Sequence, residues 1–276
     1  MILELKPNEY NYIKTLADPV KFHLVINAII DTKIPGRIWV DDINNPKSAL
    51  IWDLRYSLYL FGREDNINFN VALKKVFTEE ISPNALKEGI EQFFLICPEA
   101  WKTKILENEI IMKKSRLNTI PRCYYSLQST LSIDWNHRLP PDCHIEFVDK
   151  QLFGKSSLKN FSYLMDEVRD IVGSVEEFLS NGNFGYCLIR DEKKIVSWCL
   201  SFLYGSLCEV WVQTVTEHRK KGFATLTVAT FVEYCQNNDI TIGWHSNQDN
   251  QASIKLAEKI GFERTTKEYS WVFGDY

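Results

Sequence analysis

No run of apolar residues in this chain of 276 approaches the length of a membrane span. No two cysteines stand at the C-x-x-C spacing of a zinc or redox site. The seven cysteines (Cys97, Cys123, Cys143, Cys187, Cys199, Cys208 and Cys235) are odd in number and scattered, which argues against a disulfide scaffold. Histidine is sparse, five residues with no metal-ligand spacing, so no metal site is expected. A broad basic surface is also missing: the net charge is −4, which excludes a general affinity for nucleic acid. The opening stretch Met1-Ile2-Leu3-Glu4-Leu5-Lys6-Pro7 has neither the charge order nor the apolar core of a secretion signal. The expected location is the cytoplasm, away from membranes.

What is present is the composition of a folded protein, 45% hydrophobic and 25% charged. The length suggests two domains. In the first half, Tyr10–Asp31 reads as helix, interrupted at Asp18-Pro19. Short apolar runs at Arg37–Asp41, Ser48–Trp52 and Tyr56–Phe61 are separated by Asn/Pro/Gly turns and read as an antiparallel meander. Helices are expected at about Val71–Ile81 and Asn84–Cys97, the second after the start signal Ser82-Pro83, with a strand at Glu107–Leu117. The adjacent carboxylates Asp41 and Asp42 point to opposite faces of a strand end and read as a solvated pair. The stretch Leu131–Cys143, with Pro140-Pro141, reads as a connector. The division expected is an α/β domain over 1–130, a linker over 131–143 and a second domain over 144–276.

The second half is organised around one stretch. A strand over about 208–215 runs through the charged turn Thr216-Glu217-His218-Arg219-Lys220-Lys221-Gly222 into a helix from Phe223 to about Asn237. That helix is apolar on several sides and reads as buried. Free backbone N–H groups and the positive dipole end at its start suit phosphate oxygens, and Arg219, Lys220 and Lys221 add charge there. Around this unit the sequence predicts a strand at His144–Val148, helices at Leu158–Val172 and Ser174–Ser180, and strands at Phe184–Arg190 and Lys194–Leu203. Beyond it lie a strand near Thr241–His245, a helix over 250–260 and a closing strand at Tyr269–Phe273.

The spacing Arg219-x-x-Gly222-x-Ala224 resembles the pyrophosphate loop of the GCN5-related N-acetyltransferases. The later stretch Asn250 to Phe262 is similar to that family's second motif: an asparagine, a small residue (Ser253) three positions on, an amphipathic helix and a closing Gly261-Phe262. The resemblance covers about residues 144–276. It implies an α+β fold with a central, mostly antiparallel sheet flanked by helices. The smaller N-terminal half is either an unrelated α/β domain or a degenerate copy, since residues 1–130 contain no phosphate-loop match.

The resemblance further implies acetyl-CoA as donor, a small-molecule amine as acceptor, and direct transfer in a ternary complex. Backbone groups of Thr214, Val215 and Thr216 would meet the pantetheine arm. Arg219, Lys220, Lys221, Gly222, Phe223, Ala224 and Thr225 would hold the pyrophosphate, with Asn250 and Ser253 near the pantetheine and thiol. Glu209, on the strand that leads to the loop, is the candidate general base, because a carboxylate on a largely apolar strand is costly unless paired or used. One departure stands out: the position after Leu256, often a tyrosine acid in the family, is Ala257. Ser253, a water or another tyrosine would then protonate the leaving thiolate, and a non-catalytic acyl-CoA sensor is the competing reading. A homodimer is compatible with these expectations.

Overall fold

A computed structural model describes residues 2–127 and 136–276. Residues 128–135, which include part of the expected connector, lie outside the described residues. The chain divides into two compact units, Met1–Cys123 with Thr266–Tyr276, and Tyr124–Thr265.

In the first unit, β1 (Leu3–Glu4) is followed by 3-10 turns at Pro7–Ile13 and Asp18–Val20, then α1 (Leu24–Ile30). The helix expected from Tyr10 is therefore α-helical only beyond Asp18-Pro19, where proline removes a donor and restricts its predecessor. Strands β2 (Arg37–Val40), β3 (Ser48–Trp52) and β4 (Ser57–Gly62) form the expected antiparallel meander. Helix α2 (Ile67–Val76) runs through a π-turn into α3 (Ser82–Lys87), which Gly89, at φ +76, helps to end.

Two expectations fail in the following stretch. Residues Gln92–Cys97 are not helix but a strand, β5, parallel to β4. This run is short and continuously apolar, bounded by Gly89 and Pro98, as suits a strand covered on both faces. Helix α4 (Glu99–Asn108), not expected from the sequence, takes Glu107 and Asn108 from the run expected as strand and closes at Glu109 in the left-handed region (φ 47); the rest of that run holds only a 3-10 turn at Lys114–Arg116. The strand that follows, β6, begins only at Asn118 and ends at Leu127. The core of the unit gathers Trp39, Leu58, Phe69, Phe93, Trp101 and Val272, each contributing about 1.5–3 kcal/mol on burial.

The second unit follows its sequence more closely. Strand β7 (Cys143–Phe147) leads to the one-turn α5 (Lys150–Phe153), α6 (Phe161–Val172) and α7 (Val175–Ser180), the last capped by Ser174, whose hydroxyl accepts from Glu177 N–H. Strands β8 (Gly185–Arg190), β9 (Lys194–Tyr204) and β10 (Leu207–Thr214) are antiparallel neighbours. Helix α8 (Phe223–Asn237) buries Phe223, Leu226, Val228, Phe231 and Val232. Strand β11 (Thr241–Asn247) lies parallel to β10, and α9 (Gln251–Ile260) precedes β12 (Phe262–Asp275). From Thr266 the chain belongs to the first unit, where Ser270–Asp275 pair antiparallel with β5.

The two halves of the chain run the same course: three antiparallel strands, a helical segment, a strand parallel to the third, a helix and a final strand. They differ at the turn after the third strand. The first half has Arg63-Glu64-Asp65-Asn66, with Arg63 paired to Asp65; the second has the basic, glycine-containing turn 216–222.

All seven cysteines are free and buried. Among the described residues no helix is long and apolar enough to cross a membrane, and no group of three or more His, Cys, Asp or Glu could hold a metal ion.

Candidate active site

The site starts from a mismatch between two strands. Strands β10 and β11 pair only over Leu207–Glu209 with Thr241–Gly243, although both continue beyond. Past Glu209, one edge of β10 therefore faces a cleft. Which backbone groups face it follows from the ladder on the other edge, where residue pairs alternate between bonded and non-bonded. Val215 N–H donates to Val196 O at 3.0 Å, so odd-numbered residues of β10 bond toward β9. The backbone groups of Val210, Val212 and Thr214 then face the cleft. Thr241 N–H donating to Ser206 O, an even-numbered residue on the β11 side, agrees with that parity.

Helix α8 opens into the same cleft. Its N-cap, Gly222, has φ +82, a conformation few residues other than glycine adopt, and no side chain caps the helix. The first intrahelical bond is Leu226 N–H to Gly222 O, so the N–H groups of Phe223, Ala224 and Thr225 have no intrahelical partner. A Cβ built on Gly222 would meet nothing within 4 Å, which leaves open approach to the backbone. Arg219 turns its Nε back onto Thr214 O at 3.1 Å, fixing the turn to the end of the strand.

A cavity of about 600 Å³ lies here, lined by the turn residues Arg219, Lys220, Gly222, Phe223, Ala224 and Thr225. Thr214, Asn250 and Ser253 line it as well. Asn250 Oδ1 accepts from Ser253 N–H at 3.1 Å and so caps α9, while the indole N–H of Trp244 donates to Ser253 Oγ at 3.0 Å. That bond uses an acceptor site of the serine hydroxyl and leaves its proton available to donate.

Other residues named from the sequence lie elsewhere. Val215 commits its N–H to β9 and lines a second cavity with Thr216, while Lys221 donates to Glu217 O at 3.1 Å. Glu209 lines neither cavity; it is 6% exposed, and its Oε1 lies 3.5 Å from Nε2 of His245. The Tyr124 ring lies 4.8 Å from the His245 ring, and burial, reinforced by the Glu209 charge, pushes the Tyr124 hydroxyl up to about 12. Ala257 is fully buried and brings no hydroxyl to the site.

Val212, Gln213, His218, Ala252 and Leu256 also line the cavity without having been singled out as site residues from the sequence. Val212 follows from the period of two once Thr214 faces the cleft. His218 sits inside the basic turn with Nδ1 buried and without a hydrogen-bond partner. Burial and the Lys221 charge hold it below its ordinary range, so it is neutral at pH 7.

The second cavity, about 440 Å³, shares Gln213, Thr214 and Arg219 with the first and extends to α6 and to Trp198 of β9. The end of β10 thus stands between a long basic cleft and a smaller chamber. A helix start with unpaired N–H groups, a glycine cap and adjoining cations fits a pyrophosphate-bearing donor.

Comparison with known proteins agrees. The chain is 26% identical over 271 residues to the uncharacterized N-acetyltransferase YdfB of Bacillus subtilis (strain 168), covering 98% of this chain and 97% of that protein. It shares its fold with a GCN5-related N-acetyltransferase-like protein from Streptococcus suis (TM-score 0.67, 21% identity, 98% of this chain and 99% of the other). A tandem GNAT protein from the clavulanic acid biosynthesis pathway, in a structure without AcCoA, is similar over 100% of this chain and 98% of its own (TM-score 0.59, 10% identity). The GNAT acetyltransferase family model matches residues 14–271, and the chain belongs to that acetyltransferase family.

Proposed function

We propose that the protein transfers an acetyl group from acetyl-CoA to the primary amine of a small molecule, directly, within a ternary complex. The observation that carries this reading is the meeting of two cavities at one strand end, Gln213–Thr214, with the uncapped start of α8 in the larger one. The N–H groups of Phe223, Ala224 and Thr225, with Arg219 and Lys220, receive the pyrophosphate. Backbone groups of Val212 and Thr214 receive the pantetheine amides and the thioester oxygen.

In the reaction an N–C bond forms, the C–S bond breaks, the amine loses a proton and the departing thiolate gains one. Glu209, which lines neither cavity, takes the amine proton through an intervening water, with His245 beside it to share the charge. Ser253 donates a hydrogen bond to the thiolate, oriented by Trp244. The protein would do this in the cytoplasm, as a monomer or a homodimer.

The buried Ala257, where the family often places a tyrosine, favours a second reading, a sensor that binds acyl-CoA without turnover. Calorimetric titration with acetyl-CoA, followed by an amine screen, separates the two. Wild-type binding that Gly222→Glu abolishes, together with turnover of an amine, supports the transferase. Binding without turnover of any amine supports the sensor, and no binding overturns both.

A further inference from the structure

The turn between β10 and α8 holds one side chain unlike its neighbours. Glu217, Arg219, Lys220 and Lys221 are exposed, whereas His218 among them is only 9% exposed. Its ring lies 6.2 Å from that of Phe223, the first residue of α8, and lines the 600 Å³ cavity. A ring buried under a turn ordinarily serves packing alone.

The two ring nitrogens point further. Nδ1 is buried and has no hydrogen-bond partner, and among the described residues none engages Nε2. A neutral imidazole carries one hydrogen, on either nitrogen. A buried N–H without an acceptor is rarer than a buried acceptor without a donor, which places the hydrogen on Nε2.

The charges around the ring keep it in that form. Lys221 from the turn, Lys194 at the start of β9 and Arg190 at the end of β8 oppose a positive imidazole, while Glu217 favours one. Arg190 and Lys194 are themselves held by Asp142 and Asp191, at 2.6 and 3.0 Å. Protonation would also put an N–H on Nδ1, where no acceptor stands.

His218 is thus a neutral donor in the same cavity as the start of α8, where Phe223, Ala224 and Thr225 N–H lack intrahelical partners. Arg219 and Lys220 line that cavity as well. Donors and cations of this kind, gathered without an acceptor, are satisfied by anionic oxygens.

Resting on the transferase reading above, we propose that His218 is a direct ligand of the donor's diphosphate, its Nε2–H donating to a phosphate oxygen. The imidazole stays neutral throughout and acts as a hydrogen-bond donor, not as a charge.

The test uses the full chain, isotope-labelled at the nitrogens of its five histidines. Proton–nitrogen correlation spectra at pH 7 report the tautomer of each ring, and His218→Gln identifies the His218 signals. Acetyl-CoA should move the His218 Nε2 resonance while the pattern remains that of a neutral ring with its hydrogen on Nε2. Calorimetry supplies a second arm. In His218→Gln the amide N–H can stand where Nε2 lies, so most of the acetyl-CoA affinity should remain. His218→Asn reaches only as far as Nδ1, and His218→Phe has no donor. Both should weaken acetyl-CoA binding roughly ten- to a hundredfold, the usual worth of a hydrogen bond to a charged partner. The Gln and Asn variants are equally polar, so a difference between them reports the position of the donor and not a loss of folding.

Acetyl-CoA bound with an unmoved His218 resonance overturns the proposal. So does binding that His218→Phe leaves intact, or that His218→Asn preserves better than His218→Gln. If the wild type binds no acetyl-CoA, the transferase reading falls and inorganic diphosphate alone decides: a shifted Nε2 resonance supports the anion site, and an unshifted one removes it.

Discussion

Glu209 stands at the last register at which β10 and β11 still pair, opposite Gly243, and its carboxylate oxygen lies 3.5 Å from Nε2 of His245, two residues further along β11. Both side chains are largely buried, with 8% and 12% of their surfaces exposed. A carboxylate in such a place is costly to keep without charged or hydrogen-bonding neighbours. Its position, one strand residue before the cleft opens, puts it within a few residues of the backbone groups of Val212 and Thr214 proposed to receive the thioester.

Glu209→Gln keeps the shape and removes the carboxylate proposed as the base. Steady-state kinetics on any accepted amine should show kcat/KM down by about 10²–10⁴-fold, the usual contribution of a general base. Calorimetry should show acetyl-CoA affinity unchanged. An unaltered rate would move the base elsewhere in the site.

A Cβ at Gly243 would collide with the Tyr124 ring and hydroxyl, which pack over it. Gly243→Ala should therefore destabilise the protein by about 1–3 kcal/mol, the cost of overpacking. Denaturant unfolding should return part of that loss in the double variant with Tyr124→Phe, which removes the nearest atom.

The Trp244–Ser253 hydrogen bond is open to a double-mutant cycle. Trp244→Phe keeps the ring against Phe262 and deletes only the donor. Each single change should cost about 0.5–1.5 kcal/mol and the pair less than the sum, as measured by chemical denaturation. Activity in Trp244→Phe should fall through kcat rather than through the KM for acetyl-CoA if Ser253 serves the leaving thiolate as proposed, because this bond orients its hydroxyl.

Glu167 carries a pH signature. Burial, with the Asp170 charge adding to it, holds its folded-state value above the ordinary one. The sign follows directly: the folded state binds this proton more tightly, so the stabilisation is complete below the unfolded value, about 4.3, and is lost as pH rises through the raised folded value. Glu167→Gln should thus gain in melting temperature on the wild type as pH climbs from about 4.3, with the gap levelling once the folded carboxyl is ionised. A gap that opens on acidification instead would contradict the burial of this group.

The parts legible in the sequence were the local ones. The strand, basic turn and helix from Leu207 to Asn237 are consecutive, and Gly222 and Arg219 announce the turn by their own chemistry. Asn250 likewise caps the helix it precedes. Residues Gln92–Cys97 misled because a strand covered on both faces shows no alternation, and apolar runs of that kind look alike in strand and buried helix. Helix α4 was hidden because only Trp101 and Ile105 are buried along it. At the site, reading Thr214, Val215 and Thr216 as one consecutive contact overlooked the parity of the strand, which turns Val212 and Thr214 to the cleft and Val215 away. The α6 chamber was illegible because Glu167, Trp198 and Thr214 meet only through tertiary packing.

The return of residues 266–276 to the first unit has a consequence for how the protein is made. Residues 1–123 leave the ribosome well before the strand that pairs with Gln92–Cys97 has been synthesised. Until then β5 presents an unpaired edge bearing Phe93, Phe94, Leu95 and Ile96, a template for pairing with another chain. Synthesis order thus makes the first unit a late finisher, waiting for residues 266–276 while the stretch 124–265 emerges and folds. Ribosome-held nascent chains stopped before residue 266 should therefore be the ones that recruit chaperones or aggregate.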